Sequence, residues 1–184
     1  MNELSLHILD ICQNSIKANA SLIQIIITED TIKNTYIIEI HDNGFGMNEK
    51  TLSEVADPFF TTRTTRSVGM GVSLFKMAAE MAGGTFNITS KVNQGTSVIA
   101  QFEHNHIDRA PLGSIEDTLA ILLMNEAAID IYYKHICNHK EYVLDTREIK
   151  NVLNGIPLAD YDVIMWVKNN IKEGITTIHK EEAR

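Results

Sequence analysis

At 184 residues the chain fits one compact domain, or one domain with a substantial appendage. A content of 44% hydrophobic and 22% charged residues suits a globular protein with a real core, and a formal net charge of -8 argues against a general nucleic-acid or anionic-membrane surface. No leader pattern, no apolar run of bilayer length and only two cysteines, Cys12 and Cys137, make a cytoplasmic chain without a disulfide framework the expectation.

The first predicted element is a helix over Leu6–Lys17. At 3.6 residues per turn His7, Asp10, Asn14 and Lys17 fall along one line, while Leu4, Ile8, Leu9, Ile11, Cys12 and Ile16 occupy the rest of its surface. A merely solvated stripe would favour Glu, Lys and Arg, because Asp and Asn are poor formers inside a helix. This line therefore reads as a surface built to meet a ligand. Ala18–Ser21 breaks the pattern, and the β-branched run Leu22–Thr28 predicts a buried strand. Thr31–Asn34 turns the chain into a second strand, Tyr36–His41, paired with the first as a hairpin. It ends in the glycine-punctuated bend Asp42-Asn43-Gly44-Phe45-Gly46-Met47, after which Asn48 caps a short helix to Val55.

Asp57 to Val68 has no periodicity, is rich in hydroxyls and carries Arg63 and Arg66; a loop of this length inside a compact domain is the expected form of a functional lid. Gly69-Met70-Gly71 opens a helix to Ala82, stopped by Gly83-Gly84. Phe86–Lys91 and Thr96–Glu103 follow as strands joined by Val92–Gly95. The order predicts a two-layer α/β sandwich with helices on one face of a mixed sheet. Composition shifts near His104, so 1–104 is read as the main domain and 105–113 as a linker. Residues 114–184 are read as a small α+β extension offering an interaction surface. In it Ser114 and Asp117 resemble a capping box opening a helix to Asn125. Ile129–Ile136 and Glu141–Leu144 form a hairpin turning at Cys137–Lys140, and helices over Thr146–Leu153 and Asp160–Lys172 end at Gly155 and Gly174. Val163, Trp166, Val167 and Ile171 are assigned to its core.

Three pieces of the first part carry chemistry. On the helix line, the amide oxygen of Asn14 is a hard ligand suited to Mg²⁺, Lys17 one turn on can meet phosphate oxygens, and Asp10 one turn before can orient an attacking water. In the bend, Asp42 can accept from an exocyclic amine while Gly44 and Gly46 let a flat ring approach the backbone; the plainer reading is an Asx-capped turn. At Gly69-Met70-Gly71, a helix N-terminus offers free N–H groups to an anion, the plainer reading being a hinge.

As a set, these motifs resemble those of the GHKL ATPases, the superfamily of gyrase, heat-shock-90 chaperones, histidine kinases and mismatch-repair ATPases, over residues 1 to 104. Asp10–Ala18 is similar to the N box, Asp42–Met47 to the G1 box, Asp57–Arg63 to the F box and lid, Gly69–Leu74 to the G2 box and Gln94–Val98 to the final glycine–threonine motif. The resemblance implies a Bergerat α/β sandwich that binds ATP or ADP with Mg²⁺. It would place Asn14 on the metal, Lys17 and the lid (Phe60, Thr61, Thr62, Arg63) on the phosphates with Gly69, Met70, Gly71 and Val72 of the G2 box, and Asp42 on the adenine amino group with Met47 and Thr96 nearby. Hydrolysing branches carry Glu where Asp10 stands, one methylene longer; the lysine and lid are more kinase-like, with Ser67 where a first glycine is common. The implied activities are slow ATP hydrolysis or phosphoryl transfer to a protein partner, and the competing reading is a nucleotide-sensing module whose lid state governs partner binding.

No phosphoacceptor helix pair fits before the N box, so a complete sensor kinase is not expected; His106–Leu112 echoes a phosphoacceptor box but lacks its adjacent acid. His135, Cys137 and His139, with His104 and His106 elsewhere, have zinc-type donors at alternate positions, yet fall at the predicted hairpin turn, where polar side chains are expected anyway.

Overall fold

The computed structural model describes residues 3–56, 71–124 and 129–180. The β-branched run after the first helix forms β1 (Leu22–Asp30), where Ile23, Ile25 and Ile27 are fully buried and their neighbours partly exposed. That alternation is what a strand covered on one face requires. β2 (Thr35–Asp42) returns antiparallel to it, with Ile25 opposite Ile40 and Ile27 opposite Ile38. β3 (Thr85–Lys91) and β4 (Gly95–Glu103) form the next hairpin, β4 pairing with β2 so that Thr96 lies opposite Asp42.

The last hairpin, β5 (Asp130–Cys137) and β6 (Lys140–Asp145), joins the same sheet. β5 runs parallel to β1, from Leu22 opposite Asp130 to Glu29 opposite Cys137, giving one six-stranded sheet in the order β3-β4-β2-β1-β5-β6. β4 and β5 therefore point the same way, and their connection must cross the sheet.

Helices α1 (Leu4–Lys17), α2 (Glu49–Ala56), α3 (Gly71–Met81), α4 (Ile115–Leu123), α5 (Thr146–Leu153) and α6 (Tyr161–Lys180) complete the fold. α1 packs between α3 and α4, and α4 against α6. Leu4, Ile8 and Ile11 of α1, Phe75 of α3, Leu119 of α4 and Val167 and Ile171 of α6 share one hydrophobic core with the buried strand residues. The predicted two-layer α/β sandwich is the architecture observed, and residues from 115 onward enter the same core as those before 104.

Three local expectations are corrected. Gly174 does not end the last helix: α6 continues to Lys180, and a Cβ at Gly174 would sit 2.1 Å from the Tyr142 ring. The glycine answers to a helix–strand approach rather than to a helix stop. Ser114 makes no side-chain cap; its carbonyl accepts from Thr118 N–H at 3.2 Å instead. Trp166 is 55% exposed, whereas Val163, Val167 and Ile171 are buried as expected. Among the described residues, no helix is long and apolar enough to cross a membrane.

Candidate functional site

A cleft of about 800 Å³ opens where the C-terminal half of α1 faces the bend after β2 and the turn between β3 and β4. Its walls are largely apolar: Ile11 from α1 and Ala18 just after it, Val55 from α2, Val72 from α3, Ile88 from β3 and Val98 from β4. Asn14, Ser15 and Lys17 of α1, Asp42 at the end of β2, Asn48 and Thr51 at the start of α2, Asn93 in the β3–β4 turn and Thr96 of β4 supply polar groups. A concave, mostly apolar site with a few convergent polar groups is the general form of a small-molecule pocket.

Asp42 is the best-fixed of these groups. Its Oδ2 accepts the Ser15 hydroxyl at 2.7 Å, and its Oδ1 accepts the backbone N–H of Gly44 at 2.8 Å and of Thr96 at 3.3 Å. A carboxylate offers about four lone-pair positions. Among the described residues three are taken, which leaves one acceptor position on Oδ2. The Asx turn expected as the plainer reading is present too, in the Gly44 bond, so one carboxylate both closes the turn and faces the cleft.

The bend itself is tied on both sides. Asn43 Oδ1 accepts from Ser21 N–H and Leu22 N–H, and Phe45 N–H donates to Ala18 O at 2.9 Å. Asn93 N–H reaches Phe45 O at 2.7 Å, and Met47 N–H donates to Ser90 Oγ at 2.8 Å. Gly46 has a φ of 63°, and a Cβ there would lie 2.1 Å from Lys91 O. The position admits only glycine, for a packing reason the expected approach of a flat ring did not supply.

The helix line divides into three environments. Asn14 and Lys17 line the cleft, with Lys17 in the last turn of α1, where the helix dipole favours a cation. Asp10 is not among the residues lining the cleft. It lies against the first residue of α3: a Cβ at Gly71 would fall 2.8 Å from the Asp10 Cβ and 3.0 Å from its Oδ2. His7 leaves the line altogether: it is 3% exposed and stacks on Phe75 at 5.1 Å. Desolvation by burial lowers its pKa to about 4, so it is a neutral core ring and not a surface base. Buried in the same helix, Cys12 has its thiol pKa pushed up by desolvation, which keeps it protonated.

Of the predicted site residues, Asn14, Lys17, Asp42, Gly46, Met47, Val72 and Thr96 line one cleft, and Gly44 donates to its carboxylate. Phe60, Thr61, Thr62, Arg63, Gly69 and Met70 lie outside the described residues. Ser15 and Ser90 were not singled out from the sequence. The signal for Ser15 was present, since it stands four residues after Ile11 and three before Ala18, which puts all three on one face of α1.

The family described as "Histidine kinase-, DNA gyrase B-, and HSP90-like ATPase" matches residues 2–106. The chain belongs to this family. Its N-terminal part is an ATP-binding domain of the histidine kinase-like class, as the GHKL motifs implied. Curated relatives include the sensor histidine kinase YvrG of Bacillus subtilis, 27% identical over 49% of this chain and 16% of that protein. The sensor protein DegM of a Bacillus species is 30% identical over 53% of this chain and 26% of that one. The autoinducer 2 sensor kinase/phosphatase LuxQ of Vibrio parahaemolyticus is 26% identical over 70% of this chain and 17% of that protein. The chain thus spans about a quarter or less of the length of these relatives. Among solved structures, the Aquifex aeolicus MutL ATPase domain complexed with ADP has a TM-score of 0.47 and 11% identity, over 84% of this chain and 70% of that one.

Proposed function

We propose that the protein binds Mg-ATP in the cleft between α1 and the Asp42–Met47 bend, and hydrolyses it slowly or passes its terminal phosphoryl group to a protein partner. The observation that carries this reading is the fixed Asp42 carboxylate, held from three sides with one acceptor position left toward an apolar slot. An adenine ring needs that combination: apolar walls for its faces and an acceptor for its exocyclic amine. Asn14 and Lys17 of the same helix line this cleft, where the amide oxygen suits Mg²⁺ and the ammonium suits phosphate oxygens. Bound Mg²⁺ would neutralise charge on the phosphates. Asp57 to Val68 is the proposed lid, with Phe60, Thr61, Thr62 and Arg63 on the phosphate side, and Gly69-Met70-Gly71 is the proposed anion site at the start of α3.

A specific observation favours the second reading, a nucleotide-sensing module that does not hydrolyse. Asp10, the acid proposed to orient water, stands where hydrolysing branches carry the longer Glu; it lies beside Gly71 at the start of α3 and is not among the residues lining the cleft. In that reading ATP acts by changing the surface offered to a partner. Calorimetry with Mg-ATP and Mg-ADP tests the binding they share. Wild-type protein should bind both, and Asn14→Ala should lose the magnesium dependence. Affinity and metal dependence untouched in folded Asn14→Ala would overturn the assignment. Phosphate release then separates the two readings.

A further inference from the structure

Far from the cleft, at the other end of β1, three histidines close on one acid. Glu29 is 8% exposed. Its Oε1 lies 2.6 Å from His135 Nε2 on β5 and 2.9 Å from His179 Nε2 near the end of α6, and its Oε2 lies 3.2 Å from His104 Nε2. The far nitrogen of each ring is also engaged. His135 Nδ1 meets Tyr133 Oη at 2.8 Å, His179 Nδ1 meets Ile175 O at 2.8 Å, and His104 Nδ1 meets Asn105 Oδ1 at 3.1 Å. The zinc-type donors noticed in the sequence are thus redistributed: His135 belongs to this cluster, while His139 is exposed in the β5–β6 turn.

His179 exposes the chemistry of the arrangement. A carbonyl oxygen only accepts, so Nδ1 carries the proton. In the neutral ring Nε2 is then a bare lone pair aimed at Glu29 Oε1, which also only accepts. Two acceptors at 2.9 Å need positive charge between or on them. A ring that gives Nδ1–H to a main-chain carbonyl and turns Nε2 inward is also how proteins present histidine to a metal ion.

We propose that Glu29, His135 and His179 form a binding site for a divalent first-row cation, zinc by donor chemistry. One ligand atom from each residue lies within 4.8 Å of the others. Two imidazole nitrogens and a carboxylate oxygen are a zinc set that leaves a fourth position open. His104 acts on the other carboxylate oxygen as a positioning residue, and Tyr133 does the same for His135. Donors on tetrahedral zinc stand about 3.3 Å apart, given bonds of roughly 2.0–2.1 Å. To admit the ion, Glu29 must part from His135 by roughly 0.7 Å and from His179 by roughly 0.4 Å. His179, with a side chain 41% exposed, is both the group able to yield and the entry route.

The test uses the full chain without an affinity tag, stripped with EDTA and titrated with Zn²⁺ by calorimetry and with Co²⁺ by visible absorption. The expected result is one equivalent per chain, strong d–d bands of four-coordinate cobalt and a zinc-dependent rise in Tm. His179→Ala, on the exposed side, should weaken zinc by on the order of 100-fold while staying folded by circular dichroism. Glu29→Gln is the second variant and should also lose the cobalt bands. Absence of stoichiometric zinc in the wild type overturns the site, as does equal affinity in folded His179→Ala, which would put the metal on other histidines.

Discussion

Ser15 donates its hydroxyl to Asp42 Oδ2 at 2.7 Å across 27 residues of sequence, joining the last turn of the candidate cleft's helix to its strand-end acid. The bond holds Oδ2 at a fixed height above the apolar floor. Removing it with Ser15→Ala should weaken Mg-ATP binding about tenfold, since hydrogen bonds to a charged group contribute roughly 1.5–3 kcal/mol. Asp42→Asn should cost more, because it replaces an acceptor pair with a donor on one side. Calorimetry checks both, and unchanged affinity in the folded variants would remove Asp42 from nucleotide recognition.

Asp10→Asn separates turnover from binding. If Asp10 orients the attacking water when nucleotide is bound, phosphate release should fall about 100-fold with ATP affinity nearly constant. Equal rates in wild type and variant would leave Asp10 as a partner of the α3 N-terminus alone and favour the sensing module.

His7 gives the core a pH dependence of known sign. Its folded pKa of about 4 lies below the ordinary 6.5, so between these values the unfolded chain binds more protons. Stability should therefore be fully present above about pH 6.5 and decline as pH falls toward 4, by on the order of 3 kcal/mol from this residue. His7 Nδ1 is buried and has no hydrogen-bond partner among the described residues, while the ring stacks on Phe75. His7→Phe keeps a stacked ring and removes both the orphan atom and the proton. Urea melts at pH 7 and pH 5 should show a smaller difference for His7→Phe than for wild type.

Gly174→Ala sets two effects against each other. Alanine improves helix propensity by about 1 kcal/mol. The new methyl would lie 2.1 Å from Tyr142 Cδ2, and that ring is pinned by its hydroxyl's 2.6 Å bond to Asn170. Overpacking commonly costs about 1–3 kcal/mol, so a net destabilisation is expected, read as a lower urea midpoint.

Much of this fold is local and was legible as such. The β-branched run Leu22–Thr28 announces β1, Asn48 does cap α2 through Thr51 N–H, and Asn34, Asn93 and Asn138 take the positive φ of the three hairpin turns. The candidate site was legible for a different reason: Asn14, Asp42 and Thr96 stand in a recurring order that resembles a known family. Contacts between distant segments were not legible. Nothing local to His7 says that its side of α1 faces Phe75, nor does anything near Gly174 reveal Tyr142. Glu29 and His179 are 150 residues apart, so their meeting depends on β5 choosing β1 as its neighbour. Main-chain pairing of that kind leaves little trace in residue type.

That choice of neighbour governs how the protein can be taken apart. A fragment stopping after β4 would bare the row of amide and carbonyl groups on β1 from Leu22 to Glu29 that β5 now occupies. An open rung of this length, lined by isoleucines, is a template for sticking to other chains. Trimming the polypeptide to residues 2–106, the part the family matches, would thus leave an adhesive particle, and would strand Glu29 without two of its three imidazoles.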